Sequence, residues 1–195
     1  GDVLAPKDWI FMECTRLLDE GYQQLDDTDF KQRDDESRRF LYFTVKDALD
    51  FHIINRRLAD YLLATLNLEI FGNFRIRIKL HKTPNCGRPI ANLSRCWLRP
   101  VYDFICEKLK PIQKSLPRVI ENASELIAML PKARALLRQR GTKHYQMATI
   151  DVVNLYPSIE QRHLLEVLSR AVRRHYVSNF KLADLLIKMI TLSVS

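Results

Sequence analysis

No run of about 18 uncharged apolar residues occurs anywhere in the chain, which leaves no candidate for a membrane-spanning helix. No secretory leader is visible: the chain opens Gly1-Asp2-Val3 instead of Met and reads as a processed or excised piece. The four cysteines, Cys14, Cys86, Cys96 and Cys106, form no C-x-x-C pair. His81 and Cys86 lie close together with Cys96 following, but the spacing matches no zinc pattern, so free thiols in a reducing compartment are expected. Internal repeats and low-complexity tracts are also missing. These absences together predict an intracellular protein, of the nucleus or an organelle such as the mitochondrion, that is not secreted and does not enter a membrane.

What is present is charge, unevenly spread. The 195 residues are 47% apolar and carry a net charge of +8. That length suits one large domain or one domain with an appendage, able to bury roughly 70% of its unfolded surface. Residues 1–36 hold eleven acids and four bases, a net of −7. Residues 75–118 hold eleven bases and two acids, a net of +9, and residues 132–143 add five bases with no acid. A concentrated basic region inside a folded segment is the electrostatic footprint of a phosphate-rich partner, although any single basic cluster is more commonly a solvated face.

Apolar periodicity divides the chain into elements. Residues 6–25 read as a helix, with Pro6 in its first turn. Residues 25–36, polar and acidic, read as a loop. Residues 37–68 read as one long helix or two abutting ones, with a wide apolar face that marks core. Residues 74–80, Phe-Arg-Ile-Arg-Ile-Lys-Leu, alternate apolar and basic, the period of a half-buried strand. Pro84, Asn85 and Gly87 make a turn, and residues 88–93 a return strand, so a β-hairpin with one cationic face is predicted. Helix returns at 96–115, with Pro100 near its start. Asn122 or Ser124 caps the next helix, Pro131 opens another short one, and Gly141 stops it. Residues 145–153 read as a strand, and 160–175 and 180–192 as helices.

Two segments carry candidate chemistry. In Asp151-Val-Val-Asn-Leu-Tyr-Pro-Ser-Ile159 an aspartate follows an apolar strand pattern, with an aromatic five residues on. Nucleotidyl transfer uses divalent ions held by carboxylates at rigid strand ends. The bland alternative is a strand–turn–helix junction in which Asp151 caps and Tyr156 packs. The hairpin, Lys79-Leu-His-Lys-Thr-Pro-Asn-Cys-Gly-Arg-Pro-Ile90, offers Arg for bidentate phosphate contacts and Lys as a mobile point charge. By itself it is a basic hairpin.

In this order, some sixty residues apart, the hairpin and the Asp151–Ile159 segment resemble the reverse transcriptases. The nearest likeness is to the Penelope-like retroelement enzymes, through the Lys-His-Lys…Arg-Pro-Ile run and the Asp-Val-Val-x-Leu-Tyr-x-x-Ile run, over roughly residues 70–170. Asn-Leu-Tyr-Pro-Ser-Ile also looks like the first palm motif of family B DNA polymerases. In those enzymes the fingers follow the palm strand, whereas here the basic hairpin precedes it. The resemblance implies an α+β fold: helix-rich right-hand fingers and a partial palm, with a basic β-hairpin and a palm strand. It implies an N-terminal helical region over 1–70, fingers over 71–144 and an incomplete palm over 145–195. It implies that Asp151 and the Val152 carbonyl contact Mg²⁺ or Mn²⁺, and that Tyr156 lies under the sugar of the incoming nucleotide. Arg88, with Lys79 or Lys82, would meet its triphosphate. Arg75, Arg77, Arg95 and Arg99 are the candidate nucleic-acid contacts.

One departure is large. Reverse transcriptases carry a later Tyr/Phe-x-Asp-Asp segment with the remaining carboxylates, and none follows Asp151 here. Asp26-Asp27 and Asp34-Asp35 are adjacent pairs, but in polar surroundings. Two functions are therefore expected as rivals. One is a fragment of an RNA-directed DNA polymerase on RNA or an RNA–DNA hybrid, completed by a second chain that supplies the rest of the palm and inactive without it. The other is a non-catalytic, retroelement-derived RNA-binding component of a ribonucleoprotein such as a ribosome. A helical protein-interaction module is the plainest third option.

Overall fold

The structure, a computed structural model, describes residues 5–21, 26–68, 72–79, 84–116, 119–120, 122–141, 146, 148–152, 155 and 158–194. It is helix-rich with one small antiparallel sheet. The order is α1 (Lys7–Gly21), α2 (Asp27–Asp50), α3 (Arg56–Leu63), β1 (Asn73–Lys79), β2 (Cys86–Asn92), α4 (Arg99–Lys114), α5 (Ala123–Gln139), α6 (Gln161–His175) and α7 (Phe180–Val194). No helix among the described residues is long and apolar enough to cross a membrane.

The core is built by α2, α3, α4, α6 and α7. Leu41 and Val45 from α2, Leu62 from α3, Val101 from α4, Val172 from α6 and Leu186 from α7 are fully buried within it. Trp97, in the turn leading into α4, is 2% exposed. Its ring lies under the Arg38 guanidinium, 4.6 Å from the centroid, and its carbonyl accepts a 2.7 Å bond from Thr65 Oγ1. Arg38 also pairs with Asp34 at 2.6 Å and donates to the carbonyls of Leu66 and Leu68. One arginine thus ties α2 to the chain leaving α3 and to the entry of α4. At the far end of α4, Tyr176 Oη donates to the Lys108 carbonyl at 2.8 Å and holds the end of α6.

The acidic stretch expected as a loop is instead, from Asp27 to Glu36, the start of α2. Asp26 is its N-cap, accepting from the Thr28 N–H at 2.8 Å, and Asp27 and Asp29 stand in the first turn. Carboxylates there satisfy free N–H groups and complement the helix dipole, so polarity marks a solvated helix start. The caps read from sequence hold: Asn122 accepts from Glu125 N–H, Pro100 sits at the start of α4, and Gly141 takes φ +74° just past α5. Pro131 opens no new helix. It lies inside α5, where Ala, Leu, Lys and Arg continue the helix past the one backbone bond proline removes.

Between α2 and α3 the chain turns through His52 at φ 55°. His52 N–H reaches the Leu49 carbonyl at 3.0 Å and Ile53 N–H the Ala48 carbonyl at 2.8 Å, the two bonds of a Schellman stop that favours glycine. Removing the Cβ here outweighs glycine's extra unfolded-state entropy. His52→Gly should therefore stabilise the fold by about 0.5–1 kcal/mol in urea unfolding; a loss of stability would contradict the strain.

The predicted palm strand is the main correction. Residues 148–152 adopt no regular secondary structure, and Ile150 is 92% exposed. The run has strand-forming residues but no neighbour to pair with: among the described residues β1 and β2 pair only with each other. An unpaired strand leaves its N–H and C=O groups to water and gains nothing from its pattern.

Candidate nucleic-acid interface

The hairpin forms as the alternation predicts, and its register sorts its residues by face. Arg77 stands opposite Arg88, Arg75 opposite Ile90 and Lys79 opposite Cys86; between them Phe74 faces Ala91, Ile76 faces Pro89 and Ile78 faces Gly87. Directly opposed residues share a face. One face is therefore Phe74, Ile76, Ile78, Pro89 and Gly87, and the other carries Arg75, Arg77, Lys79 and Arg88.

The apolar face lies on α1. Gly87 N–H, in the return strand, donates to Glu13 Oε1 at 2.7 Å across 74 residues of sequence. A Cβ at Gly87 would come within 2.9 Å of Glu13 Cγ and 3.2 Å of Leu17 Cδ1, so only glycine lets strand and helix approach this closely. Glu13 is 9% exposed. Arg16 grips it with two bonds, 2.7 and 2.8 Å long, and also holds Glu20 at 2.6 Å. The Arg16 bonds, more than the Gly87 N–H, outweigh burial and lower the Glu13 carboxyl from 4.5 to about 2. Sequence reasoning passed over Glu13. The signal was an acid four residues after Trp9 and four before Leu17, inside the apolar stripe of α1.

A depressed carboxyl pKa means the ionised form is bound more tightly in the folded state. The contribution of Glu13 is complete above pH 4.5 and fades as the pH falls from 4.5 towards 2. The protection of the hairpin amides against hydrogen exchange, relative to their intrinsic rates at each pH, should therefore fall over that window. In Glu13→Gln the acid-linked change should vanish, and docking should weaken at neutral pH by about 1.5–3 kcal/mol. An unchanged acid profile in Glu13→Gln would overturn the role of Glu13.

With one face occupied, the other is open to solvent. Arg75, Arg77 and Arg88 are exposed and Lys79 is half-buried. None has an ion-pair partner among the described residues. Like charges directly opposite each other across a strand pair are destabilising, so the Arg77–Arg88 pair is a standing repulsion that an anion between the two guanidinium groups relieves. Two residues along β1 span about 6.8 Å, giving a row of cations with room for successive phosphates. Arginine's fork matches phosphate oxygens bidentately.

The other sequence candidates fall differently. Arg95 is exposed in the turn after β2. Arg99, in the first turn of α4, is paired with Asp103 at 2.9 Å and holds that carboxyl below the usual range. Its charge is thus partly offset by Asp103. Asp151 and Val152 are exposed in irregular chain, and no hydrogen bond or ion pair joins Asp151 to the hairpin or to any other described residue. No group of three His, Cys, Asp or Glu side chains gathers among the described residues. Lys82 and Tyr156, like His81, lie outside the described residues. The four cysteines are free thiols. No protein-family model, curated protein or solved structure matches the chain.

Proposed function

We propose that the chain is the fingers and first palm portion of an RNA-directed DNA polymerase, and that it grips nucleic-acid phosphate through the outer face of the hairpin. The observation that carries this reading is the opposition of Arg77 and Arg88 on an exposed face with no neutralising acid among the described residues. In this reading Arg75 and Arg77 hold the template or primer backbone, with Arg95 and Arg99 continuing the path. Arg88, with Lys79 or Lys82, meets the triphosphate when a nucleotide is bound and otherwise shares RNA phosphate with Arg77, and Tyr156 senses the sugar.

Asp151 is the metal-contacting residue of this proposal, together with the Val152 carbonyl. A lone exposed carboxylate does not make a two-ion centre, which needs several carboxylates converging on one spot. The residues described do not fit such a centre, so no catalytic step is assigned to this chain alone; a further polypeptide supplies the remaining carboxylates. The solitary position of Asp151 equally favours a second reading, in which the chain binds RNA without catalysis as part of a ribonucleoprotein.

Template-primer extension separates the two. With a companion polypeptide carrying the Asp-Asp segment, incorporation should be sustained and fall to background in Asp151→Ala. Arg88→Ala should impair nucleotide use more than RNA binding. Salt-sensitive RNA binding with no incorporation in any pairing selects the second reading.

A further inference from the structure

The apolar face of α5 is unclaimed. None of its residues is buried, and no other described element packs against it. Ile127 is 66% exposed, Leu136 57%, and Leu126, Met129 and Leu130 about 40%. Ile127, Leu130 and Leu137, with Arg134, Arg138 and Gln146, line an open groove of about 840 Å³. Along the helix and its C-cap stand Lys132, Arg134, Arg138 and Arg140, none in an ion pair among the described residues, against one acid, Glu125. A helix of this kind fits an apolar ridge edged by carboxylates.

The chain carries that complement itself. The side of α1 turned away from the hairpin presents Phe11, 74% exposed, and Met12, 69% exposed, with Leu18 beside them. Asp8 and Asp19 flank this ridge and pair with no described residue. Within one chain α1 and α5 do not touch.

We infer that the α5 groove receives α1 of a second copy of this chain, a head-to-tail contact in which the basic apolar helix of one copy holds the acidic apolar helix of the next. This goes beyond the nucleic-acid reading and stands without it. A bilayer is a poorer occupant: α5 has no aromatic residue to seat at an interface. A nucleic acid would satisfy the arginines and leave the apolar stripe between them in water.

Because head-to-tail contacts use two different surfaces, complementation tests them directly. In sedimentation equilibrium the wild-type chain should show a mass that rises with concentration above 22.9 kDa. Ile127→Asp/Leu130→Asp on α5, and separately Phe11→Asp/Met12→Asp on α1, should each stay at the monomer mass with unchanged circular dichroism, since all four side chains are exposed. Mixing the two variants should restore a species of twice the monomer mass and nothing larger, and raising the salt should weaken it. A monomeric wild type, a mixture that stays monomeric, or association persisting in both variants overturns the inference.

Discussion

Replacing Arg75, Arg77 and Arg88 together by serine should weaken binding of a single-stranded RNA about fifty-fold near 0.15 M salt. The slope of log affinity against log salt should flatten by about 2. Both numbers follow from releasing three phosphate contacts, each contributing about 0.7 to the slope on a single strand. The substitution leaves the Glu13–Gly87 bond and the apolar face untouched, because the three side chains stand on the opposite face of the hairpin. It should even raise thermal stability slightly in the absence of RNA, since the Arg77–Arg88 repulsion disappears. Loss of RNA affinity with no change in salt slope would mean that the hairpin acts through shape, not charge. The same loss from removing the five bases of residues 132–143 would make the contact a diffuse effect of net charge.

The second large effect concerns the core. Trp97→Ala should destabilise the helical domain by about 3–5 kcal/mol, measured by urea unfolding followed at the helix band. Domains of this kind have about 5–15 kcal/mol in total, so the variant should be near the edge of folding at body temperature. The cost has three parts: the volume of a side chain 2% exposed, the stacked guanidinium of Arg38, and the support Arg38 gives to the carbonyls of Leu66 and Leu68. Trp97→Phe should recover most of the volume and part of the cation–π contact. A loss below about 1 kcal/mol in Trp97→Ala would show that α2, α3 and α4 are held together elsewhere.

Legibility in the sequence followed the range of the interactions involved. The hairpin was readable because period two is local, and the register then placed each arginine as the alternation implied. Asn122, Pro100 and Gly141 were readable because caps depend on their own backbone. The acidic start of α2 was misread because polarity suits a solvated helix as well as a loop, and only the Asp26 cap tells them apart. The strand expected at 145–153 does not form over 148–152, its described run, for the converse reason: these residues suit a strand, but a strand needs a partner, and pairing is not a property of the segment. Glu13 and Arg38 were missed because their partners, Gly87 and Trp97, lie 74 and 59 positions away. The site itself was readable as a set of cations and one aspartate. That Arg88 would join Arg75, Arg77 and Lys79 on one open face was not, because the pairing of two strands is a property of neither strand alone.

The most direct test of the account follows the arginine Nε–Hε resonances of isotope-labelled protein during titration with a short single-stranded RNA. The signals of Arg75, Arg77 and Arg88 should shift together and saturate at one RNA per chain, while Arg38, held over Trp97, stays still. Shifts centred on α5 or α6 with the hairpin arginines unmoved would contradict it.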